Sequence, residues 1–414
     1  MIIEWLKTQW HFSAVLTAVV AGVILGLVAY ASLFERKIAA WCQDRHGPNR
    51  VGFFGLFGWR LWGLGQPIAD GLKFFVKEDI VPAKVDKPLY VAAPAICLIV
   101  ATMGFAVIPW GGVVDLDGDG QWDVRCQVAS LDIGLLYLLG LGAMGVYGVV
   151  LGGWASNNKY SLYGALRGTA QLLSYEIPIG LAILVAVLMA GSVRLEEIIL
   201  AQVGEGNCWY AVKHPIAFLL LWAAMFAETN RMPFDLPEAE QELVSGYLTE
   251  YSSMKFSMFF MAEYTHMIVG TAFLAVLFLG GWHLPFIPWL QPESTSIFAM
   301  LCKMAVMIGK VVFFMWLYML VRWTLPRFRF DQLMRLAWQK MVPAGIGLAG
   351  VAAIVVYIRG SEMSLWREVA LCWAGNVAVV VVAVLVSLLA RQRGDRVTGR
   401  QGNLPAVPAA GSGA

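Results

Sequence analysis

The sequence predicts an all-α fold, a polytopic bundle of about eight to nine transmembrane helices with an amphipathic interfacial helix after the first span. Three observations predict it. Of 414 residues, 59% are hydrophobic and only 14% charged, where a soluble chain carries about a quarter charged. Several windows of roughly 20 residues are almost purely apolar, the length that crosses a hydrocarbon core as a helix. Period-2 alternation is missing, which disfavours a barrel, the one other backbone that satisfies its own hydrogen bonds in lipid.

Taken in order, the candidate spans lie at roughly 13–33, 89–110, 130–152, 171–190, 213–227, 257–280, 299–321, 336–357 and 368–390. The first is too long for a cleaved signal peptide, and no small-residue cleavage site precedes FERK, so it reads as retained. After it comes the longest connection, about residues 34–88. Within it GLGQPIADGLKFFVKEDIVP places Ile68, Leu72 and Phe75 at helical spacing, with Lys73 and Lys77 four apart on another face. That pattern predicts a helix lying at the interface. Upstream, ERKIAAWCQDRHGPNRVG holds Arg45 and Arg50 near the surface through a Gly-Pro-Asn bend. Acidic membrane lipid, a partner's docking surface and the mouth of a site for an amphipathic ligand are all open readings of those bases.

Between the second and third spans, DLDGDGQWD offers Asp115, Asp117, Asp119 and Gly120 at the spacing that opens an EF-hand loop, but Cys126 stands at the twelfth position. An Asp/Gly turn is the favoured reading. Cys126 and Cys208 both fall in predicted outer connections, where an oxidising compartment allows a disulfide. None of the six cysteines forms CxxC, which disfavours a zinc ribbon or an iron–sulfur cluster held by this chain. No metal site and no nucleic-acid partner is expected. The expected units are one membrane domain over 1–357, an additional helix over 358–392, and a disordered Gly/Pro/Ala-rich tail over 393–414.

Summed over alternate connections, Lys and Arg number roughly 22 on one side and about 7 on the other. The N-terminus is therefore expected outside and the C-terminus inside. On that inner side lies AETNRMPFDLPEAEQELVSGYLTEY, which packs Glu228, Asp235, Glu238, Glu240, Glu242 and Glu250 between two apolar runs, with Arg231 the one base among them. Glu176, Glu263 and Lys310 fall within spans. At mid-bilayer each ionised group costs at least about 2.5–3.5 kcal/mol, so pairing and water must hold them, and a polar cavity among the helices is implied. Glu238 and Glu242 are four apart, which predicts a shared helix face. Carboxylates crowded in a low dielectric raise one another's pKa and titrate as a set.

The stretches ERKIAAWCQDRHGPNRVG with GLGQPIADGLKFFVKE, and AETNRMPFDLPEAEQELVSGYLTEYSSMKFSMFFMAEY, resemble the two signatures of the H subunit of proton-pumping NADH:quinone oxidoreductase (respiratory complex I), in mitochondria the first NADH dehydrogenase subunit. GWASNNKYSLYGALRGTAQLLSYEIP and PRFRFDQLMRLAWQK resemble that family too, and the likeness runs over about residues 13–357. The resemblance implies a membrane subunit of an enzyme. It would join the membrane arm to the peripheral arm and form the quinone entrance and chamber, with no catalytic redox centre of its own. Quinone is then the substrate, and FMN and iron–sulfur clusters belong to partner subunits. The implied partners are the peripheral subunits at the quinone site and the neighbouring small and antiporter-like membrane subunits.

Carried over position by position, the implied cavity lining is Glu35, Arg36, Arg45, Gln66, Asp70, Lys73 and Glu78. The implied proton route is Glu176, Glu228, Arg231, Asp235, Glu238, Glu240, Glu242, Glu250, Tyr251 and Glu263. Gln241 stands where the resemblance implies Ser, and His266 where it implies Asn. A bacterial inner membrane is the expected location, ahead of the mitochondrial inner membrane. The rival readings are the membrane anchor of a related proton-pumping hydrogenase or ferredoxin- or formate-linked complex, and a stand-alone proton or cation transporter.

Overall fold

A computed structural model describes residues 8–51, 61–116, 123–204, 207–285, 287, 290–359 and 364–401. Among these, eight helices are long and apolar enough to cross a membrane. The architecture is α1 (Gln9–Cys42), α2 (Gln66–Val76), α3 (Lys87–Met103), α4 (Gly134–Ala155), α5 (Lys159–Ala190), α6 (Leu195–Gly204), α7 (Pro215–Glu228), α8 (Ser253–Leu279), α9 (Ile297–Thr324), α10 (Phe330–Arg335), α11 (Val342–Ile358) and α12 (Leu365–Gln401). A π-helical turn, Leu336–Met341, joins α10 to α11. A two-residue antiparallel pairing, Val113–Val114 (β1) with Val124–Arg125 (β2), closes the connection after α3.

At the centre sits α8. Of its most apolar window 78% is buried, against 17% for Leu365–Leu385 at the periphery. Small residues let the helices approach closely, as expected where both helix surfaces and lipid are apolar. The fifth predicted span, 213–227, becomes α7 and has only 14 residues. At 1.5 Å per residue it is about 21 Å long, short of a hydrocarbon core of about 30 Å.

Contacts sort the connections into two ends. At one, Ser253 donates to the carbonyls of Phe74 and Lys77, both at 2.9 Å. There also Asn157 donates to Lys84 O at 3.0 Å, and Arg327 pairs with Asp235 at 2.7 Å. These bring together the segments after α1, α4, α7 and α9. At the other end Arg125 pairs with Glu196 at 2.9 Å, Asp115 N donates to Thr295 O at 2.9 Å, and Lys213 pairs with Glu368 at 2.9 Å. That end gathers the segments after α3, α5 and α8, with the start of α12. The polypeptide therefore runs from end to end nine times, and α7 is one of the passages. Because α7 is short, the polar segment that follows is drawn into the bundle: Thr229, Asn230, Arg231, Phe234 and Asp235 are all buried.

Several expectations are corrected here. Glu238 and Glu242 share no helix, since the only turn there is Glu240–Leu243, bounded by positive φ at Ala239 (26°) and Val244 (65°). The helix carrying Glu176 starts at Lys159, twelve residues before the predicted span, so Glu176 lies mid-helix. Lys77 lies just past α2 in extended backbone and shares no helix face with Lys73. The disulfide that an oxidising compartment would allow between Cys126 and Cys208 is not formed. Asp117, Asp119 and Gly120 of the EF-hand-like loop, and tail residues 402–414, lie outside the described residues. Lys310 is partnered by three carbonyls, Leu279, Gly281 and His283, each at 2.7 Å. These end α8, where the helix dipole is negative.

Candidate functional site

The charged groups converge where the C-terminal parts of α1 and α9 and the N-terminal half of α8 meet the segment after α7. That segment is held from α5 by Gln171, fully buried, whose amide donates to Ala227 O at 2.7 Å and Phe234 O at 2.8 Å. Its fold depends on Gly246, at φ 55°, where a Cβ would meet Pro237 O at 1.7 Å. This contact seats Glu238 beside Tyr247.

Arg231 is 2% exposed and pairs with Glu263 at 2.8 Å. Its guanidinium lies 4.7 Å from the Tyr264 ring and 5.0 Å from that of Phe260, a geometry in which a ring face attracts a cation. Tyr247 OH donates to the other Glu263 oxygen at 2.9 Å. Tyr264 OH donates to Glu35, and Glu35 also pairs with Arg322 of α9. One residue along α1, Arg36 pairs with Asp70 at 2.9 Å, and Gln66 donates to Asp70 at 3.2 Å. A run of polar contacts thus leads from α2, through α1, to Glu263 in the bundle core.

The loop groups titrate abnormally. Burial first, then the charge of Glu263, pushes the Glu238 carboxyl up to about 8, with Arg231 opposing. Burial and the charge of Glu238 push Asp235 up to about 6, against the pull of Arg327 and Arg322. Burial disfavours the charge on Arg231, but Glu263, Tyr264, Glu35 and Glu238 outweigh it and hold it protonated.

Beyond Glu263 the path is space rather than contact. A cavity of about 40 Å³ is lined by Glu263, Tyr247, Asn230, Glu228 and His266. A second, of about 70 Å³, is lined by Glu228, His266 and Glu176. A water needs about 10–15 Å³ of such space, so both are large enough to admit one. Room for Glu228 comes from α4: a Cβ at Gly142 would lie 2.8 Å from its Oε1.

The other sequence-derived candidates lie apart from this cluster. Arg45, Lys73 and Glu78 are exposed. Glu242 is exposed and pairs with Arg167 at 2.6 Å. Glu250 accepts from Asn158 at 2.6 Å, and Tyr251 stacks on Tyr90 with centroids 4.2 Å apart. The side chain of Glu240 lies outside the described residues. Sequence reasoning missed Arg322, Arg327, Tyr247, Tyr264 and Gln171. Arg322 and Arg327 counted only as inner-side bases, although their place at the inner end of a span, like that of Glu35, was a usable signal.

Fold and site together define a class: a multi-pass helical membrane protein that carries paired, hydrogen-bonded charge from one end into its core. The chain belongs to the NADH dehydrogenase family, whose model matches residues 15–356. It is 46% identical over 352 residues to the H subunit of the NADH-quinone oxidoreductase of Leptospira biflexa, covering 83% of this chain and 95% of that protein. With an H subunit of the NADH-quinone oxidoreductase of Geobacter sulfurreducens it shares 46% identity over 344 residues, 81% of this chain and 92% of the relative. An H subunit of the same enzyme from Cytophaga hutchinsonii is 42% identical over 332 residues, 80% of this chain and 93% of the relative.

Proposed function

We propose that this chain is the membrane subunit of a proton-pumping NADH:quinone oxidoreductase that receives the quinone between α1 and α2 and passes the effect of its reduction into the membrane arm. The observation that carries this reading is the pairing of Glu35, Tyr264, Arg231 and Glu263, with the Arg36–Asp70 pair one residue along α1 and the cavities that Glu228 and Glu176 line beyond Glu263. Reduction of a quinone beside Asp70 and Arg36 draws protons and changes the local field. The acids about Arg231 respond by redistributing protons, and the cavities beyond Glu263 lead them towards Glu176. Lys73, Arg45 and Glu78, exposed beside this entrance, face lipid, quinone or the peripheral subunits. FMN and iron–sulfur clusters reside in those partners. Small and antiporter-like membrane subunits adjoin the Glu176 side. The chain sits in a bacterial inner membrane with its N-terminus periplasmic.

Replacing Glu263 by Gln in the assembled complex tests the reading. Quinone reduction should persist in part while protons translocated per electron fall several-fold. Full stoichiometry in that variant would remove the proposal.

A further inference from the structure

Glu228 and His266 are the two residues that line all three internal cavities, of about 70, 40 and 10 Å³. Glu228 is one of the acids of the proposed route. His266 is a titratable side chain to which that route gives no part. It lies three residues after Glu263 on α8, a spacing that puts both on one helix face. The side of the cavity that α4 forms is kept clear by glycine: a Cβ at Gly145 would sit 3.5 Å from His266 Nε2, and one at Gly142 would sit 2.8 Å from Glu228 Oε1. Around these cavities the titratable groups are Cys97 of α3, Glu176 of α5, Glu228 of α7, Tyr247 of the loop, Glu263 of α8 and Tyr318 of α9. Two carboxyl sites flank the imidazole along the path, Glu263 on one side and Glu228 on the other, and the cavities that adjoin it are large enough to admit water.

We propose that His266 is a proton-carrying station between Glu263 and Glu228, joining the loop half of the acid succession to the half that ends at Glu176. An imidazole suits the position because its two nitrogens are distinct: it accepts a proton on one and releases one from the other. A proton leaving the Glu263 side passes through cavity water to one ring nitrogen, and the proton on the other nitrogen leaves through water to the Glu228 carboxylate. One proton moves, its departure leaves the imidazole neutral in the other tautomer, turning of the ring or exchange of the tautomer resets it, and no electrons change hands.

This inference rests on the proposed proton route, so the test separates the two. His266→Leu, which dries the cavities, and His266→Gln, which keeps a polar amide but cannot change its charge, are made in the assembled complex beside Glu228→Gln. Complex yield, quinone reduction and protons translocated per electron are measured from pH 6 to 8. Both His266 variants should assemble and lose several-fold in protons per electron. If Gln supports the full ratio while Leu does not, His266 only holds water and the station is overturned. If both His266 variants keep the full ratio while Glu228→Gln loses it, the route stands without this residue. If all three keep the full ratio, route and station fall together.

Discussion

Arg231 stands between three carboxyl groups, pairing with Glu263 and lying within the field of Glu35 and Glu238. Removing one partner of a buried pair costs about 3–5 kcal/mol, because the remaining charge is left in low dielectric. Arg231→Met should therefore lower the thermal stability of the complex by that order, read as a fall in its heat-inactivation midpoint. Arg231→Lys keeps the charge but loses the planar stacking on Tyr264 and Phe260, so its loss should be smaller. Glu238 supplies a pH dependence of known sign. Its carboxyl titrates near 8 in the fold and near 4.5 in an unfolded chain. The folded state thus holds more protons between those values, and stability falls as pH rises through that window. Glu238→Gln, neutral throughout, should flatten the slope of heat inactivation against pH between about 5 and 8. Glu242, by contrast, is a surface partner of Arg167, and such pairs are worth about 0–1 kcal/mol. Glu242→Gln should cost far less pumping than Glu263→Gln when both are measured in the same vesicles. The sequence alone could not separate the two acids: it shows their charge and distance from an apolar run, whereas the positive φ at Ala239 and Val244 that turns Glu242 outward arises from the tertiary contact of Gly246 with Pro237.

Among the elements, the long helices were legible because 20 apolar residues have one stable form in lipid. The amphipathic α2 was legible from Ile68, Leu72 and Phe75, which are exposed and so present an apolar face to membrane or partner. That α7 is short was legible too, since the predicted span 213–227 ends beside the observed end at Glu228; what periodicity could not convey is the buried Gln171, reaching from α5, that holds the chain where it turns. Nor could it reveal that α12 is fastened to the segment that opens α7. Lys213 is fully buried and Glu368 nearly so. Trp373 Nε1 donates to Val212 O at 2.9 Å, and Asn376 donates to Lys213 O at 3.3 Å. A Cβ at Gly375 would lie 2.2 Å from Val351, so α12 also packs tightly on α11. Glu368→Leu should reduce the yield of assembled complex, since it leaves a buried ammonium without its carboxylate. Lys213→Met combined with Glu368→Leu should recover most of it, because a buried pair is commonly replaceable by apolar groups of similar volume. A double variant no better than the single one would show that α12 is held by packing alone.

Across the whole molecule, the order of the spans anticipated the two ends into which the contacts sort the connections. The excess of Lys and Arg expected at one of them follows a rule acting on short connections during insertion, independent of how the helices later pack. The buried acids obey no such rule. Their positions follow from which helix is short and which glycine is close, so their neighbours emerge only in three dimensions. Nine passages, an odd number, place the start of α1 and the end of α12 at opposite ends of the bundle. The end at which Ser253 meets Phe74 and Asn157 meets Lys84 carries most of the bases, and is therefore assigned to the cytoplasm. A fluorescent protein that matures only in the cytoplasm, fused after residue 414, should fluoresce, and a phosphatase active only outside, fused at the same point, should be silent. Fusions ending at residue 358, after one passage fewer, should give the reverse. If the shorter fusion also fluoresced, α12, the one passage between the two points, would fail to cross. Fusions at residues 208 and 230 test α7 in the same way, because α7 alone separates those two points.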